Sequence, residues 1–500
     1  MDQPGADSVD VAIVGCGPVG ALLANLLGLC GISVRIVDRD THAYTLPRAI
    51  HFDDEVMRVF QAAGLAASVH PKLHVSPGMK FVDATGRLLL DWSRPQTIGP
   101  QGWFASYRFH QPELEQALRA GLERFPHVTL HTGCEVVAIE QRDEGVAVRF
   151  RDTAGLPGEV QARYVVGCDG AKSMVRRAMG ATLEDLGFRE RWLVIDAMLL
   201  RPRPDLGDHS IQHCDPARPA TYVRGTGDRR RWELSVLPGE DEAALTQPQR
   251  LRELLSPWVG PDDIRIERAV VYTFHSALAD RWRRGPLLIA GDAAHLTPPF
   301  LGQGMCAGIR DAANLAWKLA AVLQGHSDPA LLDSYGSERI PHVREYIELA
   351  IRLGGLINAK AMDAAVPHSV LEGGGPVRMA SIKPRLGPGL AAPGVGAQGT
   401  LAPQPTLADG SLLDDHVGYG WALLLRPGGD APFGSTVRGW VAARQGTVSQ
   451  DPAVGPWLEA IGAVAAVIRP DRYVLGTAAT MAELAALLAP AATVHQDAAD

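Results

Sequence analysis

No window of the 500 residues holds the roughly 18 uninterrupted apolar residues that a membrane-spanning helix requires. The opening MDQPGADSVD is polar and acidic, so it reads as neither a secretory signal nor a transit peptide. Cysteine is scarce: six residues lie scattered without CxxC or metal-type spacing. That fits free thiols in a reducing cytoplasm better than a disulfide framework, and argues against a structural zinc site. An excess of basic charge is missing as well. Against 56 acidic residues stand 48 Lys and Arg, for a net charge of −8, which argues against a polyanion-binding surface and hence against nucleic-acid partners. The one basic run, Arg229–Arg230–Arg231, reads as a solvated turn. There is no internal repeat.

What is present is ordinary globular material, 46% apolar and 21% charged, in a length that suggests two or three domains. The first 40 residues read strand, glycine turn, helix, strand, the start of an α/β domain. Residues 113–125 read as an amphipathic helix, and YVVGCDG (164–170) as a buried strand ending in a turn. From about 190 to 280 alternating segments such as RWELSVL and RAVVYTFH predict a mainly antiparallel sheet inserted between the α/β pieces. Met305, Ile309, Ala312, Ala316, Leu319 and Leu323 form the apolar stripe of a long helix, and a further helix is expected around RIPHVREYIELAIRLGGLI. Residues 384–400 are rich in Pro and Gly and read as a linker or wrapping arm. Beyond them WALLLR, AVAAVIRP and MAELAALLA predict a small mixed domain.

Gly15-Cys16-Gly17-Pro18-Val19-Gly20 is a GxGxxG between a strand and a helix. Its first glycine permits the tight turn, its second lets the backbone approach a pyrophosphate, and its third allows close helix packing. The helix N-terminus then offers amides and a positive dipole to phosphate. Asp38, 18 residues past Gly20 and followed by Arg39, stands at the end of the second strand, where a carboxylate accepts from a ribose diol. The loop alone does not separate FAD from NAD. No second GxGxxG with strand–helix context appears, which fits a nicotinamide cofactor that binds transiently.

Two later segments narrow the choice. GDAAH (291–295) and GCDGAKSMVRRAMG (167–180), in this order and spacing relative to the glycine loop, resemble the second and third flavin motifs of the single-component aromatic hydroxylases of the p-hydroxybenzoate hydroxylase type. The resemblance covers residues 8 to about 350. RPATYVRG, VVYTFHSALADRWRRG and PPFLGQGMCAGIRDAANLAWKLAAVL are similar to the branch containing 3-(3-hydroxyphenyl)propionate, resorcinol and aromatic polyketide hydroxylases. The resemblance implies a discontinuous Rossmann-like FAD-binding domain (1–75, 105–185 and 280–383) and an inserted substrate-binding sheet domain (76–104 and 186–279). It further implies a thioredoxin-like C-terminal domain (401–500) that lacks redox cysteines, since the last cysteine is Cys306.

Site residues follow from the same resemblance. Gly291 and Asp292 are expected at the ribityl chain, Asp169 and Gly170 at the pyrophosphate, and Arg48 and Gln111 at the phosphates or ribityl chain. Arg176 is either a phosphate contact or a helix-surface charge. Pro298 and Pro299 would wall the reactive edge of the flavin, with Pro299 as the contact nearest the chemistry. The helix start at Gly302, Gly304 and Met305 would face the ring edge that turns anionic on reduction. The resembled enzymes often carry Asn where Cys306 stands, and a thiol is the weaker hydrogen-bonding group. His213, Tyr222, Arg224, Tyr272 and His275 are the candidates in the inserted sheet for handling a phenol. The implied activity uses FAD, NADH or NADPH, and O2 to hydroxylate a phenolic substrate, 3-(3-hydroxyphenyl)propionate or similar, through a C4a-hydroperoxyflavin, with a larger aromatic polyketide or a resorcinol as the alternative substrate. The chain's partners include neither membrane nor nucleic acid; homodimerisation is left open. The rival readings are a flavin oxidase or dehydrogenase that does not hydroxylate, and a non-catalytic FAD-binding module.

Overall fold

The computed structural model describes residues 7–43, 45, 47–357, 377–379, 381–390, 396–428 and 435–488. Parts of the expected FAD-binding region (358–376), of the linker (391–395) and of the C-terminal domain (429–434 and 489–500) lie outside the described residues. The chain divides into two compact units, Met1–Gly99 with Trp103–Pro384, and Pro100–Gly102 with Arg385–Asp500.

The first unit is built on a sheet whose strands run in the order Arg283–Arg284, Leu287–Ile289, Pro157–Gly167, Asp7–Val14, Val34–Val37, Val128–His131. The four pairings from Leu287–Ile289 to Val128–His131 are parallel. Asp7–Val14 lies at the centre with Val11, Ala12 and Ile13 fully buried, as a strand covered on both faces must be. The glycine-loop helix Pro18–Leu29 packs against the long helix Gly304–Leu323. That second helix departs from the simple stripe. Arg310, Asp311, Asn314 and Lys318 are buried along with its apolar residues, so the polar side meets other protein rather than solvent. Residues 113–125 split into the helix Gln111–Ala120 and a 3-10 turn Gly121–Arg124.

A second, nine-stranded sheet is inserted into this framework, in the order His295–Leu296, Ile264–Ala279, Leu183–Leu199, Arg229–Ser235, Ala220–Arg224, Ser210–Cys214, Gly78–Asp83, Leu88–Ser93, Val377–Arg378. It is mainly antiparallel, with parallel pairing where Ser210–Cys214 meets Gly78–Asp83 and where Val377–Arg378 meets Leu88–Ser93. Its two faces do different jobs. Leu193, Ile195, Tyr222, Trp232 and Leu234 pack under Leu245, Leu251 and Leu255 of two short helices. On the opposite face Trp192, Phe81 and Cys214 pack with Phe300, Leu301, Ala350 and Leu353 of the first unit's own loop and helix. The Phe300 ring sits 5.5 Å from Phe188 and 5.6 Å from Trp192, edge to face. The expectation of a solvated turn at Arg229–Arg231 is overturned. These residues open a strand, and Arg230 and Arg231 are buried because acceptors on neighbouring segments take their N–H groups.

The second unit contains a four-stranded sheet in the order Thr447–Ser449, Ala422–Leu425, Ala465–Ile468, Val474–Ala478. The first pair is parallel and the other two are antiparallel. Arg385–Leu390 belongs to this unit, where Leu386 donates to the Gly399 carbonyl at 2.9 Å.

Candidate active site

The glycine loop is shaped by contacts that only glycine permits. Gly15 sits at φ +97°, and a Cβ there would stand 2.5 Å from the Cys168 carbonyl oxygen. At Gly20 a Cβ would come within 2.1 Å of the Gly15 oxygen. Gly17 is different in kind: a Cβ built on it meets nothing within 4 Å, so its backbone fronts open space. Pro18 takes the first helical position, where its missing N–H costs nothing. Asp38, buried at the end of the second strand, accepts the Cys16 N–H with one oxygen and the Asp40 N–H at 2.8 Å with the other. Its carboxylate therefore locks the glycine loop while keeping lone pairs for a ribose. Arg39 beside it is exposed. Arg119 donates to the Cys16 carbonyl at 2.9 Å and lies 3.6 Å from Asp38. Sequence reasoning missed this residue, although it falls on the helix that Gln111 begins.

Asp169 accepts the Met174 N–H at 2.6 Å at the start of the short helix Met174–Ala178, and no described group bonds its other, buried oxygen. Gly170, at φ +76°, fronts open space. Of its two readings, Arg176 is not the helix-surface charge. It is buried, and it donates to the Ala293 carbonyl at 2.8 Å and the Ala171 carbonyl at 2.7 Å, bracing the GDAAH turn. Gln111 accepts from the backbone N–H groups of Arg48 (2.8 Å) and Ala49 (2.7 Å), so it sets the Arg48 loop from behind.

Asp292 occupies the turn Gly291–Ala293 after the strand Leu287–Ile289. Its side chain is accessible, yet enclosing protein pushes its pKa upward, with the charges of His295 and Arg48 pulling the other way. A carboxylate that is both accessible and surrounded lines an internal cleft. No described group hydrogen-bonds it. The turn is held rigid from beneath: Asp311 accepts from the Gly291 N–H at 3.1 Å and from His295 Nε2 at 2.6 Å, while Arg339 holds its other oxygen at 2.9 Å. All three side chains are fully buried. Gly291, at φ +62°, backs onto Val19 of the glycine-loop helix.

Pro298 is buried and half-buried Pro299 opens a 3-10 turn, Pro299–Leu301, closed by Gly302 in the left-handed region at φ 63°. The helix then begins at Gly304, and no described side chain caps its N-terminal amides. Half-buried Met305 follows. Cys306 is fully buried, and its thiol reaches towards the carbonyls of His51 (3.9 Å) and Gly302 (3.7 Å). Burial pushes its pKa up.

The open backbone at Gly17, the partnerless oxygen of Asp169, the unbonded carboxylate of Asp292 and the uncapped helix start at Gly304 form a donor and acceptor set that FAD fits. Phosphate goes to backbone amides, hydroxyls to carboxylates, and a ring edge to a helix N-terminus.

The inserted sheet turns a charged network onto this framework. Asp196 accepts from Arg231 Nε and Arg268 Nε, both at 2.7 Å. Arg231 donates to the Arg48 carbonyl at 2.7 Å and also to the Pro47 carbonyl, which Arg268 reaches at 2.7 Å as well. Arg268 donates to the Tyr272 hydroxyl at 3.1 Å. Of the five sheet candidates, Tyr272 is the one the structure brings to this face. Tyr222 packs on the helix-covered face, 5.6 Å from Trp232, and His213 accepts from Trp258 Nε1 at 3.3 Å. Arg224 is turned to the carbonyls of Gly225 (3.1 Å) and Gly227 (2.6 Å). His275 follows Phe274, which packs on the inner face, and so points to the other side. The Asp196 network carried no sequence motif; only alternation along the strands could have put Asp196, Arg231, Arg268 and Tyr272 together.

A nucleotide-type glycine loop, a second acidic turn and an inserted sheet together define an FAD-binding oxidoreductase of the aromatic hydroxylase class. The chain matches the family described as "FAD binding domain" over residues 8–350 and belongs to it. It is 39% identical over 97% of its length to a probable NADH-specific resorcinol 4-hydroxylase of Rhodococcus jostii, 94% of which is covered. It is 41% identical to a 3-(3-hydroxy-phenyl)propionate/3-hydroxycinnamic acid hydroxylase of Burkholderia cenocepacia, over 71% of this chain and 65% of that one. The Mycolicibacterium smegmatis protein of the same name is 36% identical over 95% of this chain and 91% of its own. The fold is that of aklavinone-11 hydroxylase, solved with FAD and aklavinone (TM-score 0.81, 22% identity, 98% of this chain and 99% of that chain).

Proposed function

We propose that this enzyme uses NADH and O2 to hydroxylate a phenolic ring, of the 3-(3-hydroxyphenyl)propionate kind or closely similar. The observation that carries the reading is the meeting of the sheet's polar face with the flavin framework: Arg231 and Arg268 grip the carbonyls of Pro47 and Arg48, and Asp292 lies within the electrostatic reach of Arg48. Bound FAD supplies hydride acceptance and oxygen activation. The chain's own residues do the rest. Gly15–Gly20, Asp38, Arg39, Asp169 and Gly170 hold the dinucleotide, and Arg48, Gln111, Gly291 and Asp292 orient its middle. Pro299 and the helix start at Gly302–Met305 wall and polarise the ring. Tyr272, its hydroxyl oxygen engaged by Arg268 at 3.1 Å, is the sheet residue best placed to bond a phenol. The packing of Phe300 against Trp192 and Phe188 excludes water beside the loop.

A resorcinol is the second reading, supported by the full-length similarity to the Rhodococcus protein. For the domains, the reading is an FAD-binding domain of 1–75, 105–185 and 280–383 and a substrate domain of 76–104 and 186–279. Residues 401–500 would form a thioredoxin-like domain. Support for the last comes from the strand order, in which a parallel pair joined through the helix Ser435–Arg444 is extended by an antiparallel hairpin. Without cysteines it would be structural. The test is NADH oxidation by purified yellow protein with a panel of phenols, phenylpropionates and resorcinols. A product 16 mass units heavier, formed in step with NADH use, supports hydroxylation. Hydrogen peroxide as the sole product with every phenol would leave a flavin oxidase.

A further inference from the structure

Among the buried arginines of the first unit, Arg176 and Arg230 donate to backbone carbonyls and several others are matched to carboxylates. Arg231 and Arg268 share Asp196, Arg310 holds Asp53 and Glu55 (both 2.6 Å), Arg339 holds Asp311, and Arg108 holds Asp208. Arg94 breaks the pattern. It follows the strand Leu88–Ser93, is half-buried, and lays its guanidinium 4.2 Å over the Trp92 ring. Its one described side-chain hydrogen bond goes to the Ser381 hydroxyl, and no carboxylate pairs with it among the described residues. The nearest acids are already engaged, Asp53 by Arg310 and Asp54 by Lys383 at 2.9 Å. Burial brings the Arg94 pKa down to about 10, as expected for a partly desolvated cation without a close anion.

The second observation is what stands beside it. His51, on the strand His51–Asp53, is half-buried, feels the Arg94 charge, and packs its ring against Gly302 of the proline loop. A Cβ at Gly302 would lie 3.3 Å from His51 Nδ1. The charged groups facing the imidazole are Arg94, Asp53 and Arg310; burial and Arg94 hold it down to about 4, so it is neutral at pH 7 and can accept or donate.

We infer that Arg94, with His51 beside it, forms the subsite for an anionic oxygen of the substrate, either a side-chain carboxylate or the phenolate itself. The inference rests on the proposed hydroxylase reading and gives it a substrate class: a phenol that reaches the flavin-edge loop carrying negative charge. Guanidinium supplies paired N–H donors matched to a carboxylate, and Trp92 keeps it in place.

The test titrates FAD-loaded protein, following flavin absorbance, with three ligands: 3-phenylpropionate, 3-propylphenol and 3-(3-hydroxyphenyl)propionate. Arg94→Gln is expected to weaken both carboxylates about 10- to 100-fold, the range of a lost charge-assisted hydrogen bond, with 3-propylphenol unchanged within about twofold. Weakening confined to the two phenols, and growing above the phenol pKa, makes phenolate the anion recognised. Equal binding of all three ligands by Arg94→Gln and the parent, at matched FAD content and melting temperature, overturns the inference, as does an equal loss for all three. Arg94→Lys, which keeps the charge, recovers part of the binding and serves if the glutamine variant fails to fold. Arg94-dependent binding in a protein that hydroxylates no phenol would sink the proposed function and leave the anion subsite standing.

Discussion

Asp292 shows how a single carboxylate can be positioned for a purpose other than folding. Nothing in the described protein bonds it, while Asp311, His295, Arg339 and Arg176 fix the turn that carries it. Asp292→Ala should therefore leave the apoprotein's melting temperature unchanged and weaken FAD about 10-fold or more, measured by fluorescence titration of released flavin. His342 makes the opposite kind of prediction. It faces Arg339 at 2.9 Å, and burial together with Arg339 and Arg310 holds its pKa well below the ordinary 6.5. The folded state thus binds fewer protons than the unfolded one below pH 6.5, so stability present above that pH is lost as pH falls towards the folded pKa. His342→Gln should flatten the dependence of stability on pH between about 5 and 6.5 by up to ~1.4 kcal/mol per unit. Denaturation at a series of pH values measures this, and an unchanged slope would assign the acid sensitivity elsewhere.

At the scale of elements, the glycine loop separates shape from ligand. Gly20→Ala drives a Cβ into the Gly15 carbonyl, a backbone clash that should cost about 3 kcal/mol or more and lower the melting temperature even without FAD. Gly17→Ala meets no protein atom and should fold normally, yet lose flavin if, as proposed, the open space there receives the phosphate. Equal effects of the two on apoprotein stability would refute the division. Elements of this sort were legible in the sequence because a local rule writes them: strand, GxGxxG, helix and Asp38 all lie within 40 residues. The GDAAH turn and proline loop were legible through resemblance. The inserted sheet was legible as a sheet, but which side packed on the proline loop and which under the short helices was not. His213, Tyr222 and Tyr272 look alike in one dimension, and only the pairing of Leu183–Leu199 with Ile264–Ala279 and the two covering helices decides which ones turn inward. Arg231 was misread for the same reason, its partner Asp196 lying 35 residues away. Arg94 and His51 escaped notice because what marks them is a missing partner, which no linear pattern records.

For the whole molecule, all six cysteines are free, and burial raises their thiol pKa values, to about 11 for Cys30 and about 12 for Cys16 and Cys214. Thiolate is the reactive form, so the native protein should take up almost no iodoacetamide at pH 7.4 within minutes and six equivalents once denatured, as read by intact mass. Rapid native labelling would mean that the fold opens locally.

The accessible, unbonded Asp292 and the bare backbone of Gly17 have a consequence for the protein as a population of molecules. A flavin that engages them binds the folded chain and not the unfolded one. Its free concentration then sets how much of the chain is folded, adding about 2.7 kcal/mol at a hundredfold excess over its dissociation constant. The melting temperature of this protein is for that reason a property of the solution as well as of the sequence. A cell short of riboflavin would hold less of the enzyme, not merely a less active one.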